Sequence, residues 1–152
     1  MNRTQAQCPA NFREHKFSYL LNIDQERRTK LWDKLNRRET FVNSQAFPYR
    51  VEFDTGLEEG CFEAGELNIH HGPLLSVHGS VGEVGPEYRS LNYFYGSYVL
   101  SFRLVRPTKL EFFQTEDGVR MDLTAFVAPW FLPLWKFGNA AFWKIFESLL
   151  KA

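Results

Sequence analysis

Apolar and polar residues alternate along most of the middle of the chain, which is the pattern of half-buried β-strands. The stretch YRVEF at 49–53 and the stretch VRMDLTAFV at 119–127 alternate most cleanly. Further β-rich stretches lie at 15–23, 61–71, 74–81, 88–105 and 109–115, and Gly65 breaks the second of these. The sequence TEDGV at 115–119 predicts a tight hairpin between its flanking strands. About seven antiparallel strands are therefore expected.

Two parts of the chain follow the helical period instead. After the first strand, Asp24 is placed as an N-cap and Leu31, Trp32 and Leu35 form a short apolar stripe, so one helix or two short ones are expected. From about Pro133 to the end, apolar residues recur at spacings of three and four. The predicted buried face of this long helix comprises Leu134, Phe137, Ala141, Phe142, Ile145, Phe146 and Leu149. Together these elements predict an α+β domain over residues 13–152, preceded by a disordered tail over residues 1–12.

Composition narrows the class of protein. The chain has 152 residues, of which 44% are hydrophobic and 24% charged, as is usual for one globular domain. Eighteen basic residues balance eighteen acidic ones, which disfavours nucleic-acid binding because such binding needs excess positive charge. Cys8 and Cys61 belong to no CxxC or Cys/His group, so we expect free thiols in a reducing, cytoplasmic setting. The N-terminus has no apolar core of a signal peptide.

The aromatic C-terminal segment, residues 128–152, has three interpretations: a membrane anchor, a helix that binds a partner, or the lid of an internal cavity. A spanning helix needs about 20 predominantly apolar residues. Lys136, Lys144 and Glu147 interrupt this segment, so no transmembrane span is expected. A helix that packs on its own sheet and one that docks on a partner or a membrane surface both remain open.

Candidate chemistry is sparse, because the sequence shows no catalytic motif. His70 and His71 are adjacent, so in a strand they point to opposite faces and cannot bind one metal together; neither a metal nor a cofactor is expected. Tyr98 and Arg103 lie in the long β-rich stretch and could orient a ligand oxygen or polarise a carbonyl inside an apolar pocket. Their alternative role is in a cross-strand ladder with a solvated arginine.

The order of elements resembles the START-like, or SRPBCC, helix-grip superfamily, which includes lipid-transfer and polyketide cyclase/dehydrase-type proteins. The stretches that carry the resemblance are FSYLLNIDQERRTKLWDKL, EDGVRMDLTAFV and the closing aromatic helix. In that superfamily a curved antiparallel sheet grips the C-terminal helix, and an apolar cavity lies between them. The resemblance implies a chain that binds or carries a lipid, a quinone or an aromatic polyketide-like molecule.

The ligand-binding residues expected on this basis come from the strands and from the closing helix. They are Phe53, Ile69, His78, Tyr98, Leu100, Phe102, Arg103, Met121, Leu123, Trp135, Phe142 and Phe146. Two other functions stay open: a cyclase or dehydratase that shapes a reactive chain in the pocket, and an interaction module that docks through its aromatic helix. The large aromatic residues could also fill the space between sheet and helix as ordinary core.

Overall fold

A single antiparallel sheet of seven strands carries the fold, in the order β1-β7-β6-β5-β4-β3-β2. The structure is a computed structural model that describes residues 7–43, 50–53, 56, 59–72, 75–97 and 104–151. The strands are β1 (Arg13–Asn22), β2 (Arg50–Phe53), β3 (Leu67–Gly72), β4 (Leu75–Val84), β5 (Tyr88–Ser97), β6 (Val105–Thr115) and β7 (Gly118–Val127). The helices are α1 (Gln25–Lys34), α2 (Arg38–Asn43) and α3 (Leu132–Lys151), the last preceded by a 3₁₀ turn at Pro129–Phe131. The predicted α+β class is confirmed.

Two short helices, α1 and α2, follow the first strand, as predicted. The Asp24 side chain accepts a hydrogen bond from the backbone N–H of Arg27 at 2.9 Å, which confirms Asp24 as the N-cap. Leu31, Trp32 and Leu35 are buried in the core. These helices connect β1 and β2, which form opposite edges of the sheet.

The hairpin between β6 and β7 turns at residues 116–117, where the sequence predicts it. Gly118 follows this turn with a φ of 147°, and a Cβ there would lie 1.9 Å from the carbonyl oxygen of Leu21. Only glycine therefore allows β1 to approach the hairpin this closely. The predicted core face of β7 is buried at Val119, Met121, Leu123, Ala125 and Val127. Burial does not alternate along the whole strand, because Asp122 and Phe126 between these positions are buried too.

The long helix α3 packs on the sheet through a different face from the predicted one. Its buried residues are Trp135, Trp143, Phe146 and Leu150, with Phe142 partly buried beside them. Five of the seven residues of the predicted face are exposed instead: Leu134, Phe137, Ala141, Ile145 and Leu149. The observed face is turned from the predicted one by about one residue position, roughly 100°. The two tryptophans explain the difference, because they give the observed face the larger apolar side chains to bury.

Contacts with β1 fix this orientation of α3. The ring of Phe17 meets that of Trp135 edge to face, with centroids 6.1 Å apart. The hydroxyl of Tyr19 donates a hydrogen bond to the carboxylate of Glu147. Burial and this bond raise the pKa of Tyr19 to about 12. Among the described residues, no helix is both long and apolar enough to cross a membrane.

In two of the predicted β-rich stretches, the described strand covers only part of the range. The stretch at 61–71 is strand only from Leu67 onward, because Gly65 takes a left-handed turn with a φ of 86°. Cys61 instead forms an isolated bridge with Arg37, and its thiol is exposed and free, as is that of Cys8. In the stretch at 88–105, β5 ends at Ser97 and residues 98–103 lie outside the described residues. Residues 1–6 of the predicted tail also lie outside them.

Candidate functional site

A cavity lies between the sheet and α2, beside the area that α3 covers. Its described lining is mostly apolar and comprises Phe41, Val51, Phe53, Phe62, Asn68, His70, Val81, Arg89, Ser90, Leu91, Leu110 and Phe112. The cavity has a volume of about 40 Å³. Because one water needs roughly 10–15 Å³, the cavity holds about three waters.

The register of the strands explains why these side chains converge. Phe53 of β2 lies directly opposite Asn68 of β3, and Val51 lies opposite His70. On the other side of the cavity, Arg89 of β5 lies opposite Phe112 of β6. Directly opposed residues of antiparallel strands point to the same face. Residues of five neighbouring strands, β2 to β6, therefore line the cavity.

Aromatic side chains separate the cavity from α3. Phe41 stacks on Phe146 with ring centroids 6.1 Å apart, and Phe112 meets Trp143 edge to face at 6.5 Å. No residue of α3 belongs to the described lining. The space directly under α3 is occupied by the helix's own buried aromatics. The open space lies next to it, on the side of α2.

The predicted ligand-binding residues fall into separate groups. Phe53 lines the cavity. Ile69 and His78 oppose each other across β3 and β4, and they lie on the other face of the sheet from Asn68 and His70. Strand β3 therefore points two polar residues, and not its isoleucine, at the cavity.

The remaining predicted residues lie in the packed core or beyond the described part of the chain. Met121, Leu123, Trp135 and Phe146 are buried in the main hydrophobic cluster. Phe142 of α3 packs against this cluster. The last four, Tyr98, Leu100, Phe102 and Arg103, lie outside the described residues. The sequence therefore indicated the correct side of the sheet at most described positions, but it did not indicate the place of the cavity.

The polar part of the lining centres on Arg89, which is only 6% exposed. Its Nη1 donates a hydrogen bond to the carbonyl oxygen of Trp32 at 2.6 Å, and its guanidinium lies 4.3 Å from the centroid of the Trp32 ring. Its Nε is buried and has no acceptor among the described residues. Burial lowers the pKa of Arg89, and the more distant Asp33 opposes this shift. An arginine nevertheless keeps its charge at neutral pH.

Asn68 is a second polar residue of the same lining. It is 2% exposed, and its Oδ1 is buried without a hydrogen-bond partner among the described residues. A buried amide oxygen without a partner is unusual, because its desolvation is not compensated. The polar wall of the cavity thus contains two side chains with unused hydrogen-bonding capacity.

A buried ion pair closes the edge of the cavity beside Phe53. Arg38 of α2 donates to Glu66 through Nε at 2.7 Å and through Nη2 at 2.8 Å, and both side chains are almost fully buried. The hydrogen bonds to Glu66 raise the pKa of Arg38, against the effect of burial. The guanidinium lies 5.9 Å from the Phe53 ring centroid. This pair fastens α2 to the segment that leads into β3.

Sequence reasoning missed Arg89 and Asn68 as site residues. Arg89 shares its parity in β5 with Leu91 and Tyr93, which both pack against the core. An arginine at a core-facing position of a strand is the signal that could have indicated it. Asn68 had no such signal, because Leu67 and Ile69 were the residues expected to face the core, and the residue between them was then expected on the other face of the sheet. Among the described residues, no group of three or more His, Cys, Asp or Glu side chains could hold a metal ion.

Comparison with known proteins adds information about the fold alone. No family model matches the chain, and no curated protein matches it. Among solved structures, the chain is similar to an uncharacterized protein from Rhizobium leguminosarum determined by the Northeast Structural Genomics Consortium. The two superpose with a TM-score of 0.51 at 13% identity, over 92% of this chain and 95% of the other. At so low an identity, the similarity shows a shared fold.

Proposed function

We propose that the chain is a START-like helix-grip protein that binds and carries a hydrophobic small molecule. The observation that supports this function is the cavity itself: a mostly apolar lining that includes four phenylalanines, together with a few polar residues, which is the usual composition of small-molecule sites. The strand order supports the family proposal. Strand β1 lies beside β7, two short helices follow β1, and a long C-terminal helix packs on the sheet.

The volume of the cavity sets a condition on this function. Pockets for drug-sized ligands measure about 300–1,000 Å³, far more than the closed space here. A lipid or a quinone therefore enters only if lining side chains move. Phe41 and Phe62, whose ring centroids lie 5.9 Å apart, line the cavity on the side of α2 and are the side chains whose displacement would enlarge it. The guest must bind the open state more tightly than the closed one.

A neutral fluorescent probe tests this proposal. We expect 1-aminoanthracene to gain fluorescence on binding to the wild-type chain. Val81, which is 4% exposed, lines the cavity, so Val81→Phe fills it and should abolish uptake. Val84 lies on the same strand, is 38% exposed and is outside the lining, so Val84→Phe is the matched control. Native mass spectrometry with solvent extraction would then identify any molecule that copurifies. Absence of uptake by all three proteins would refute the proposal.

The exposed face of α3 favours a second candidate function, docking on an anionic membrane surface. Five large apolar residues at this end of the chain are exposed: Trp130 (70%), Leu134 (60%), Phe137 (74%), Ile145 (47%) and Leu149 (40%). Lys136 and Lys144 are exposed on the same helix. An aromatic and aliphatic stripe with neighbouring lysines is the composition of helices that lie in the interface of a bilayer. The positively charged lysines attract anionic lipid headgroups, and this attraction favours a membrane surface as the partner of α3.

Vesicle flotation tests this second function. We expect the protein to float with vesicles of phosphatidylcholine and phosphatidylserine, and less with phosphatidylcholine alone. Phe137→Glu should abolish flotation, because it places a carboxylate in the centre of the stripe. Flotation that is insensitive to this substitution, or no flotation with either vesicle, would exclude docking through α3.

A further inference from the structure

Arg89 is a buried cation whose charge no described residue neutralises by an ion pair. Arg38 offers a comparison within the same molecule, because it is equally buried and also lies near the cavity, yet Glu66 neutralises it through two hydrogen bonds. Around Arg89, the acidic side chain that acts on it most strongly is Asp33, from beyond ion-pair distance. A buried charge is normally paired, because its removal from water is otherwise uncompensated.

A structural role accounts for only part of Arg89. The Trp32 carbonyl lies near the C-terminal end of α1, where a cation is favourable, and the guanidinium also contacts the Trp32 ring. A guanidinium carries five N–H donors, and this hydrogen bond uses one of them. The buried Nε has no acceptor among the described residues. The charge and the Nε–H donor of Arg89 therefore have no described partner, and Arg89 is one of the residues that line the cavity.

We propose that the molecule bound in the cavity is an apolar carboxylic acid, whose carboxylate accepts hydrogen bonds from Arg89. This inference rests on the proposed function and specifies its ligand class. The planar guanidinium matches a carboxylate in two parallel hydrogen bonds. The unpartnered atom of Asn68 on the same wall is its Oδ1, which only accepts hydrogen bonds, so the hydrogen bonds to the carboxylate come from Arg89. The hydrocarbon part of the ligand lies against Phe53, Leu91 and Phe112.

Charge balance favours a carboxylate over a phosphate. One guanidinium and one carboxylate leave the closed cavity neutral. A phosphate monoester carries about −1.5 to −2 charges at neutral pH, so it would leave a buried net negative charge beside Arg89. The small volume acts in the same direction, because it leaves little space for the waters that would screen such a charge.

A matched pair of ligands tests the inference on the wild-type chain at pH 7. Octanoate and methyl octanoate have the same hydrocarbon tail, and only the first carries a charge. Their affinities are measured by displacement of 1-aminoanthracene. We expect octanoate to bind roughly 10-fold to 100-fold more tightly, the ratio that corresponds to a charge-assisted hydrogen bond. Octyl phosphate provides a third ligand, and tighter binding of octyl phosphate than of octanoate would overturn the choice of a carboxylate.

Substitutions then locate the effect. Arg89→Met should equalise the affinities for the acid and the ester, while the neutral probe still binds, which shows that the cavity is intact. Arg89→Lys should keep part of the preference, because it retains the charge without the planar fork. Arg27→Met is the control, since Arg27 is highly exposed and lies outside the cavity. If Arg89→Met does not fold, the ratio of the wild-type affinities for octanoate and methyl octanoate decides whether the ligand class is right.

The outcomes separate this inference from the proposed function. If the probe binds and octanoate has no advantage over its ester, the ligand class is wrong and the carrier function stands. If neither the probe nor any of the three ligands binds, both proposals fail. A preference for octanoate that survives Arg89→Met would also overturn the role of Arg89.

Discussion

The orientation of α3 can be tested by making the same substitution on its two sides. Phe146 is 2% exposed and Phe137 is 74% exposed, and both lie within this one helix. Replacing either residue with alanine changes helix propensity by the same amount. The difference between the free energies of unfolding of Phe146→Ala and Phe137→Ala therefore reports how deeply each ring is buried.

The expected magnitudes follow from the contacts of each ring. Phe146 stacks on Phe41, meets Trp143 edge to face with centroids 5.5 Å apart, and lies parallel to Phe142 at 6.4 Å. Its removal should lower the free energy of unfolding by about 3–5 kcal/mol, as for other buried phenylalanines. For a domain of this size that corresponds to a fall in Tm of roughly 6–20 °C. Phe137→Ala should change the free energy by no more than about 0.5 kcal/mol.

Urea unfolding followed by far-ultraviolet circular dichroism gives both values, and thermal unfolding gives a second measure. The slope of the urea transition should stay the same in all three proteins. An equal loss of stability in both variants, or a larger loss in Phe137→Ala, would refute this packing. It would mean that α3 contacts the sheet through the face predicted from periodicity.

Three further predictions concern the ion pair, the tyrosine and two glycines. Glu66→Gln should lower the free energy of unfolding by about 3–5 kcal/mol in chemical denaturation, because it leaves the buried Arg38 without a counter-charge. The folded-state pKa of Tyr19 is about 12 against its usual 10.0, so the stability that this group contributes below pH 10.0 is lost as the pH rises toward about 12. Tyr19→Phe should remove this part of the pH dependence in thermal unfolding. Gly138→Ala should raise the free energy of unfolding by about 0.5–1 kcal/mol, since a methyl group meets nothing within 4 Å there, whereas Gly118→Ala should lower it because of the clash with β1.

Each of these predictions has a contradicting outcome. A loss in Glu66→Gln no larger than that in Glu87→Gln, a change at an exposed glutamate, would show that the buried pair does not stabilise the fold. An unchanged alkaline profile in Tyr19→Phe would show that the ionisation of Tyr19 is not linked to folding. If Gly118→Ala were as stable as the wild-type chain, β1 would not lie against the hairpin as described.

Where local rules and tertiary packing agree, the sequence was sufficient. Apolar residues occupy every second position of β7 from Val119 to Val127, and all five of them are buried. Asp24 caps α1 through its own side chain, a contact that involves only neighbouring residues. The hairpin turn is local in the same sense. Such features need no knowledge of what packs against them, so they could be predicted from the chain alone.

The face of α3 and the polar wall of the cavity depend on contacts between distant parts of the chain. Helix α3 carries large apolar residues on most of its circumference, so its period allows more than one buried face. The contact of Trp135 with Phe17 selects one of them. Arg89 and Asn68 are polar residues at interior positions, which contradict the rule that apolar residues face the core. Only the pairing of β2 with β3, and of β5 with β6, reveals that they share a cavity.

The pairing of β1 with β7 has a consequence for how the chain reaches this structure. Ser18 donates a hydrogen bond to Asp122, which lies 104 positions later in the chain. Contacts of such high sequence separation must close long loops before they stabilise anything, so we expect a high contact order and slow folding for the size of the protein. During synthesis, β1 emerges about 100 residues before its partner strand β7. Until β7 is complete, the N-terminal strand has an unsatisfied edge on both sides, and the nascent chain is then most exposed to aggregation.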